Sequence, residues 1–248
     1  MPANKRILVW PDWHLPYHHK KATAEAVYFA KQYKPNVFVD LGDMFDCNSV
    51  SSHDPNPSKH LRFVEERDDG LAELDKLLAV LPRNCDRHIT MGNHEDMLRR
   101  YVWRRAAALD GLVSFDDPFG LTARKFTITP HRHMLKVGKV HFSHDIGGAG
   151  QGAAINALRR VQGNVVQGHN HRAVLVYETN ARGKSHFGCS AGWLGDPNHV
   201  SDYMDVHSAK TQWNHAVVTI EMDKHGMALA QIHPIFGVPV SSVWTVAS

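Results

Sequence analysis

Short apolar runs that each stop on a polar cluster constrain this chain more than any other feature. Arg6-Ile7-Leu8-Val9-Trp10 ends on Pro11-Asp12, Val37-Phe38-Val39-Asp40-Leu41 on Gly42-Asp43, and Arg87-His88-Ile89-Thr90-Met91 on Gly92-Asn93-His94-Glu95. A short continuous apolar run fits a strand buried on both faces. Between the first two runs the pattern from Thr23 to Lys34 predicts a helix, stopped by Pro35-Asn36. Between the second and third, Leu61 to Leu81 is helical in spacing, with Gly70 as an interruption and Pro82 as its end. Strands alternating with helices point to an α/β fold, and in open α/β sheets ligands collect beyond the carboxyl ends of the strands.

The remainder extends this frame. Phe45 to Lys59 is rich in Ser, Asn, Asp and Pro and reads as a long loop, a feature more often functional than accidental inside a compact domain. A helix follows Gly92-Asn93-His94-Glu95 to about Leu109. His133–Val137 and Val140–Ser143, joined by Gly138-Lys139, predict paired strands ending at His144-Asp145. A glycine loop at 147–152 leads to a helix, Ala153–Val161, and then to a strand, Asn164–Gln167, that stops at Gly168-His169-Asn170-His171. Ala173–Thr179, Ser185–Cys189, Ala216–Met222 and Met227–His233 also read as strands. No repeat or low-complexity linker divides the chain, so residues 1–248 are expected to form a single domain.

Composition removes whole classes of function. With 43% hydrophobic and 21% charged residues the chain is neither disordered nor fibrous. No run approaches the roughly 18 apolar residues of a membrane span, and no secretory signal is visible, so the expectation is a cytoplasmic protein without a membrane partner. A net charge of +3 is too small to indicate a polyanion partner by itself. Cys47, Cys85 and Cys189 are far apart and form no CxxC pair, which argues against a disulfide framework or a thiolate zinc site. The outlier is histidine, whose 19 copies outnumber the 18 glycines. Imidazole is both the commonest metal ligand and the usual acid/base group near neutral pH, so position has to decide which copies matter.

Five clusters follow the strand-like runs: Asp12-Trp13-His14, Gly42-Asp43, Gly92-Asn93-His94-Glu95, His144, and Gly168-His169-Asn170-His171. Their oxygen and nitrogen donors, without sulfur, suit Mn, Fe, Zn or Ni. In an extended segment the alternate spacing of Asp12/His14 and of His169/His171 puts each pair on one side. Glycine before Asp43, Asn93 and His169 allows a sharp turn and close approach to an ion. His141 is a nearby rival to His144, which is preferred because it ends its strand before a glycine loop. Trp13 is expected to pack beneath the site. His18, His19, His60, His131 and His133 are expected to be surface or secondary groups.

In their order DxH, GD, GNH[ED], H and GHxH, these blocks resemble the calcineurin-like metallophosphoesterase superfamily. The resemblance spans residues 12 to 171. It implies a four-layer β-sandwich flanked by helices and two divalent ions, manganese foremost with Fe, Zn, Ni or Mg as alternatives. Asp12, His14, Asp43 and His171 would hold one ion, and Asp43, Asn93, His144 and His169 the other. Two cations about 3.5–4 Å apart clamp a phosphoryl group and lower the pKa of bound water, whose hydroxide attacks phosphorus in line. His94 would protonate the departing alkoxide, with Glu95 or another carboxylate orienting the ring.

The substrate is less legible. The arginine-bearing GDxxDRG of the protein phosphatases in this superfamily is replaced here by Gly42-Asp43-Met44-Phe45-Asp46-Cys47-Asn48, and Leu15 follows His14 where they carry glycine. This looks more like the phosphodiesterase and nuclease branches. Arg100 and Arg104, four apart on the helix after GNHE, are candidate contacts to DNA, RNA or a nucleotide, although a solvated arginine face is the simpler account. The expectation is a phosphodiesterase acting on nucleic acid or nucleotides. A broad phosphomonoesterase and, more remotely, a non-catalytic metal-binding scaffold are the alternatives.

Overall fold

The computed structural model describes residues 4–53, 56, 58–59, 62–109, 111–112, 114–199 and 212–237. In chain order the elements are β1 (Lys5–Trp10), α1 (Lys20–Tyr33), β2 (Val37–Asp40), α2 (Phe63–Leu78), β3 (Asp86–Thr90), α3 (Asp96–Arg105) and β4 (Phe126–Thr129). Then come β5 (Leu135–Val137), β6 (Val140–Ser143), α4 (Ala153–Val161), β7 (Asn164–Gln167), β8 (Ala173–Thr179), β9 (Ser185–Ala191), β10 (Ala216–Met222) and β11 (Ala228–Pro234).

Alternation along β1 decides the layering. Leu8 and Trp10 enter a core shared with Phe38 of β2, Ala22, Ala26 and Ala30 of α1, and Leu74 and Leu77 of α2. Ile7 and Val9 face the opposite way, into a core with Val37, Val39, Val218 and Ile220 that meets Phe142, Val166, Phe187 and Cys189 of a second sheet. A third cluster seats Ala157 and Leu158 of α4 against Val165 of β7. The layers are therefore helix, sheet, sheet, helix, and full burial of each Leu, Ile, Val or Phe side chain is worth about 1.5–3 kcal/mol. A run buried on both faces can only be a central strand of such a sandwich.

The first sheet runs β11-β10-β1-β2-β3-β4 and the second β5-β6-β7-β9-β8. Strands β1 to β4 pair in parallel, as do β6-β7 and β7-β9. Hence the carboxyl ends of β1, β2 and β3 gather at one edge of the first sheet, and those of β6 and β7 at one edge of the second. No helix among the described residues is long and apolar enough to cross a membrane.

Several boundaries differ from the sequence reading. Helix α1 starts at Lys20 because the His19 side chain caps it, accepting from the Ala22 N–H at 3.1 Å. Gly70 does not interrupt α2; it lets Phe45 lie against the helix, where an added Cβ would stand 2.8 Å from Cε1. Strand β4 was not expected. The strand expected from His133 begins only at Leu135, since Arg132 at φ 65° turns the chain. The 45–59 loop contains a short 3-10 turn, Asn48–Val50, tied to α2 by Glu66, which accepts from Asn48 N at 2.7 Å and Ser49 N at 2.9 Å.

Candidate metal centre

The strand ends bring all seven expected ligands together. Asp12 and His14 follow β1, Asp43 follows β2, Asn93 follows β3, His144 follows β6, and His169 and His171 follow β7. Asp12, His14, Asp43, His144 and His171 are buried. Asp12, His14 and His171 form one group whose ligand atoms all lie within 4.8 Å of one another, and Asp43, His144 and His169 form a second. A third such group, His14, Asp43 and His94, lies across the two. His144 Nε2 is 3.2 Å from Asp43 Oδ2 and 3.0 Å from Asn93 Oδ1. His141 is elsewhere, its Nδ1 3.3 Å from the Asn164 carbonyl oxygen.

The backbone achieves this convergence differently from the extended segments expected. His14 (φ 58°), Asp43 (φ 49°), His169 (φ 69°) and His171 (φ 56°) all occupy the left-handed region, which costs a non-glycine residue about 1–3 kcal/mol. Left-handed turns, not strand alternation, aim these side chains inward. Of the three glycines that precede ligands, only Gly42 has positive φ. Gly168 serves close approach instead: a Cβ there would stand 2.7 Å from Asp12 Oδ2.

Around the ligands lies a layer of orienting groups. His144 Nδ1 is 2.9 Å from the Leu41 carbonyl oxygen, so this nitrogen donates there and Nε2 is the atom that faces the cluster. Asp46 holds two rings: its Oδ1 is 2.9 Å from His14 Nδ1, and its backbone oxygen 2.6 Å from His94 Nδ1. Two carboxylates stand 3.8 Å from the His94 ring, that of Asp46 at Nδ1 and that of Asp43 at Nε2. Glu95 has other bonds. Its Oε2 accepts from the Asp43 N–H at 2.9 Å and the Gly92 N–H at 2.7 Å, and Oε1 from the Phe45 N–H at 3.0 Å. Glu95 therefore pins the Gly42 and Gly92 loops to each other and is not the partner that orients His94.

Trp13 packs beneath the site as expected, with Nε1 donating to Thr23 Oγ1 at 3.0 Å. The histidines expected at the surface divide. His18 is buried, held at 3.1 Å from the Pro16 carbonyl and edge-on to Trp13, and burial pushes its pKa down. His131 is largely covered, between Asp96 and Asp145 at 3.8 and 3.9 Å. His133 is exposed, and His60 lies outside the described residues.

The electrostatics of the cluster suit cations. Burial, reinforced by Asp43, pushes Asp12 up to about 8 against the pull of His144. For Asp43 burial acts upward too, but His144 and His94 hold it well below the usual carboxylate range. Burial would lower His144, yet its contact with Asp43 lifts it to about 10. Burial, with nearby His14, pushes His171 well down, which keeps its ring neutral and fit to coordinate. His14 Nε2 and His171 Nδ1 are buried without a hydrogen-bond partner. Two close buried carboxylates, with the neutral His171 ring and two orphaned ring nitrogens, form a donor set suited to a pair of divalent ions.

The cluster opens into a cleft of about 270 Å³, where Asp43, Asn93, His94, His169 and His171 meet Asn48, His53 and Trp213. Trp213 carried no signal in the sequence, being far from every motif; its ring is 4.1 Å from that of His171. Asp46 had one, a second carboxylate three residues after Asp43. Arg100 and Arg104 do not line this cleft. Arg100 pairs with Asp96 at 3.1 Å and donates to the Asn93 carbonyl at 3.0 Å, while Arg104 donates to the Arg100 carbonyl at 3.2 Å.

The Gene 54 protein of Mycobacterium phage D29 is 26% identical over 185 residues, covering 68% of this chain and 70% of its own. Among solved structures, a hypothetical protein from Thermus thermophilus aligns over 93% of this chain and 99% of its own, at 10% identity and a TM-score of 0.46. Vps29 from Chaetomium thermophilum aligns over 92% and 97%, at 11% identity and a TM-score of 0.43. The model of the calcineurin-like phosphoesterase family matches residues 5–212, and the chain belongs to that family.

Proposed function

We propose that the chain is a metal-dependent phosphodiesterase that takes two divalent ions, manganese foremost, and cleaves nucleic acid or nucleotide diesters by in-line displacement at phosphorus. One observation carries the diester reading: the described lining of the metal cleft contains acids, histidines, amides and Trp213, but no arginine or lysine. A monoester dianion brings one more negative charge than a diester, and a guanidinium is the usual bidentate partner for it.

Asp12, His14 and His171 would hold one ion, Asn93, His144 and His169 the other, with Asp43 shared. Bound there, the ions would neutralise phosphoryl charge and lower the pKa of a water between them. The chain's own residues do the rest. Leu41 fixes the His144 tautomer, and Asp46 fixes His14. His94 lines the cleft, its Nδ1 occupied by the Asp46 carbonyl, so Nε2 is the atom that holds a proton and releases it to the leaving oxygen.

A hydrolysis panel in manganese tests this: a phosphomonoester, a simple diester, a cyclic nucleotide and single-stranded DNA. The diesters should be cleaved at least tenfold faster than the monoester. Monoester preference would make the enzyme a broad phosphomonoesterase, and no turnover on any substrate would leave a metal-binding scaffold. His94→Asn should retain metal while slowing alkyl esters by about 10²–10⁴-fold and p-nitrophenyl esters far less, since a good leaving group needs little protonation.

A further inference from the structure

The loop after β3 borders two spaces. Asn93 and His94 line the metal cleft, whereas Glu95 and Asp96 line a second cavity of about 770 Å³ between α3 and the 130–133 turn. This volume falls in the range of small-molecule sites, roughly 300–1,000 Å³. His131 lines the cavity and places its ring 6.4 Å from that of the proposed ligand His144, so the cavity begins within a nucleotide's reach of the centre.

Its lining is selective. Met91, Ile128 and Phe115 supply apolar surface, and Trp103, 48% exposed, supplies an aromatic face backed by the Arg99 guanidinium 4.2 Å from its ring. Arg99 and Arg100 are both paired with Asp96. Arg132 is different: it is exposed, sits at φ 65°, and forms no ion pair among the described residues. An uncompensated guanidinium beside aromatic surface matches a base joined to a phosphate.

We propose that this cavity receives the nucleotide unit adjoining the scissile phosphate, with its base against Trp103 and Phe115 and its non-scissile phosphate at Arg132. The proposal rests on the diesterase reading above and names the substrate group that confers selectivity.

The test uses the full chain with manganese and the variants Trp103→Ala and Arg132→Ala. The first readout is the ratio of kcat/KM for p-nitrophenyl thymidine 5′-phosphate to that for bis(p-nitrophenyl) phosphate, which has no base. In Trp103→Ala this ratio should fall about 5- to 150-fold, the range a stacked base contributes, and mainly through KM. The second readout is calorimetric binding of a 5′-phosphorylated thymidine dinucleotide with an uncleavable methylphosphonate linkage. Trp103→Ala should weaken it by a similar factor, and Arg132→Ala should weaken it and flatten its salt dependence. A ratio that does not change, or dinucleotide binding equal in all three proteins, overturns the proposal. If the wild-type chain cleaves no diester, the diesterase reading fails by itself and the dinucleotide decides the cavity: binding lost in Trp103→Ala supports it, and no binding to wild type refutes it.

Discussion

Replacing Glu95 by Gln and by Ala should lower stability in steps set by the backbone N–H groups its carboxylate holds. The side chain is 4% exposed and accepts from Asp43, Phe45 and Gly92. In the Gln variant the amide oxygen can keep the Asp43 and Gly92 bonds, but the NH₂ group then faces the Phe45 N–H. One buried donor is left unpaired, at about 1–3 kcal/mol. Ala strands all three, about 3–9 kcal/mol, which overlaps the whole stability of an ordinary domain, about 5–15 kcal/mol. At about 2–4 °C per kcal/mol for a chain of this size, Glu95→Gln should melt about 2–12 °C lower. One effect opposes the loss: burial and Asp43 push the Glu95 pKa up, so the neutral amide relieves repulsion and draws the shift towards the small end. Melting should be followed in EDTA, where bound metal adds nothing. The second assay compares p-nitrophenyl with alkyl esters. Because Asp46 orients His94, Glu95→Gln should slow both by the same factor. A wild-type Tm, or a loss confined to alkyl esters, would refute the reasoning and return Glu95 to the proton-transfer step.

Asp43 groups with His144 and His169 and, separately, with His14 of the other proposed ion site, so Asp43→Asn should weaken binding of both ions by more than the 10–100-fold of an outer-layer change; two ions per chain with normal turnover would rule out a shared ligand. If Arg100 and Arg104 contact nucleic acid, replacing both by Ala should reduce the salt slope for single-stranded oligonucleotide cleavage by about 0.7 per phosphate contact, and an unchanged slope assigns them to solvent. Burial lowers His18 and His215 in the folded chain, so below about 6.5 these two rings bind more protons in the unfolded chain and contribute stability that rises with pH. Between pH 5.5 and 7.5 in EDTA, the change in urea midpoint should therefore shift towards lower stability at the higher pH when His18 and His215 are both replaced by Gln, and an identical change in the parent and the double variant would contradict this.

Strand β1 was legible because burial on both faces leaves no polar position in its central run. Ile7 to Trp10 is apolar throughout, and each of the four residues enters a core. The same reasoning explains what was missed. Strand β4 lies at the edge of the first sheet and alternates Phe126-Thr127-Ile128-Thr129, too short a pattern to stand out beside the preceding 3-10 turn at Thr122–Arg124. The early start of α1 depended on a histidine acting as a cap, a task more often given to Ser, Thr, Asp or Asn.

The centre divides along a similar line. The choice of candidate ligands used local information, since each candidate falls within a few residues of a strand end. Ligand geometry was not local, because it depends on bonds between loops distant in sequence. The Asp12 carboxylate accepts from the His169 N–H at 2.9 and 3.0 Å across 157 residues, tying the β1 loop to the β7 loop and so one sheet to the other. Asp43 Oδ1 accepts from the His94 N–H at 2.9 Å across 51 residues, and Glu95 closes the same junction from below. These bonds hold Asp43 and His169 in left-handed conformations that neither residue would favour alone. The carboxylates proposed to bind metal are thus also the cross-links that shape the cleft. Substitutions at Asp12 or Asp43 should therefore be compared with and without metal, because only the apo measurement isolates the loss of these loop-to-loop bonds.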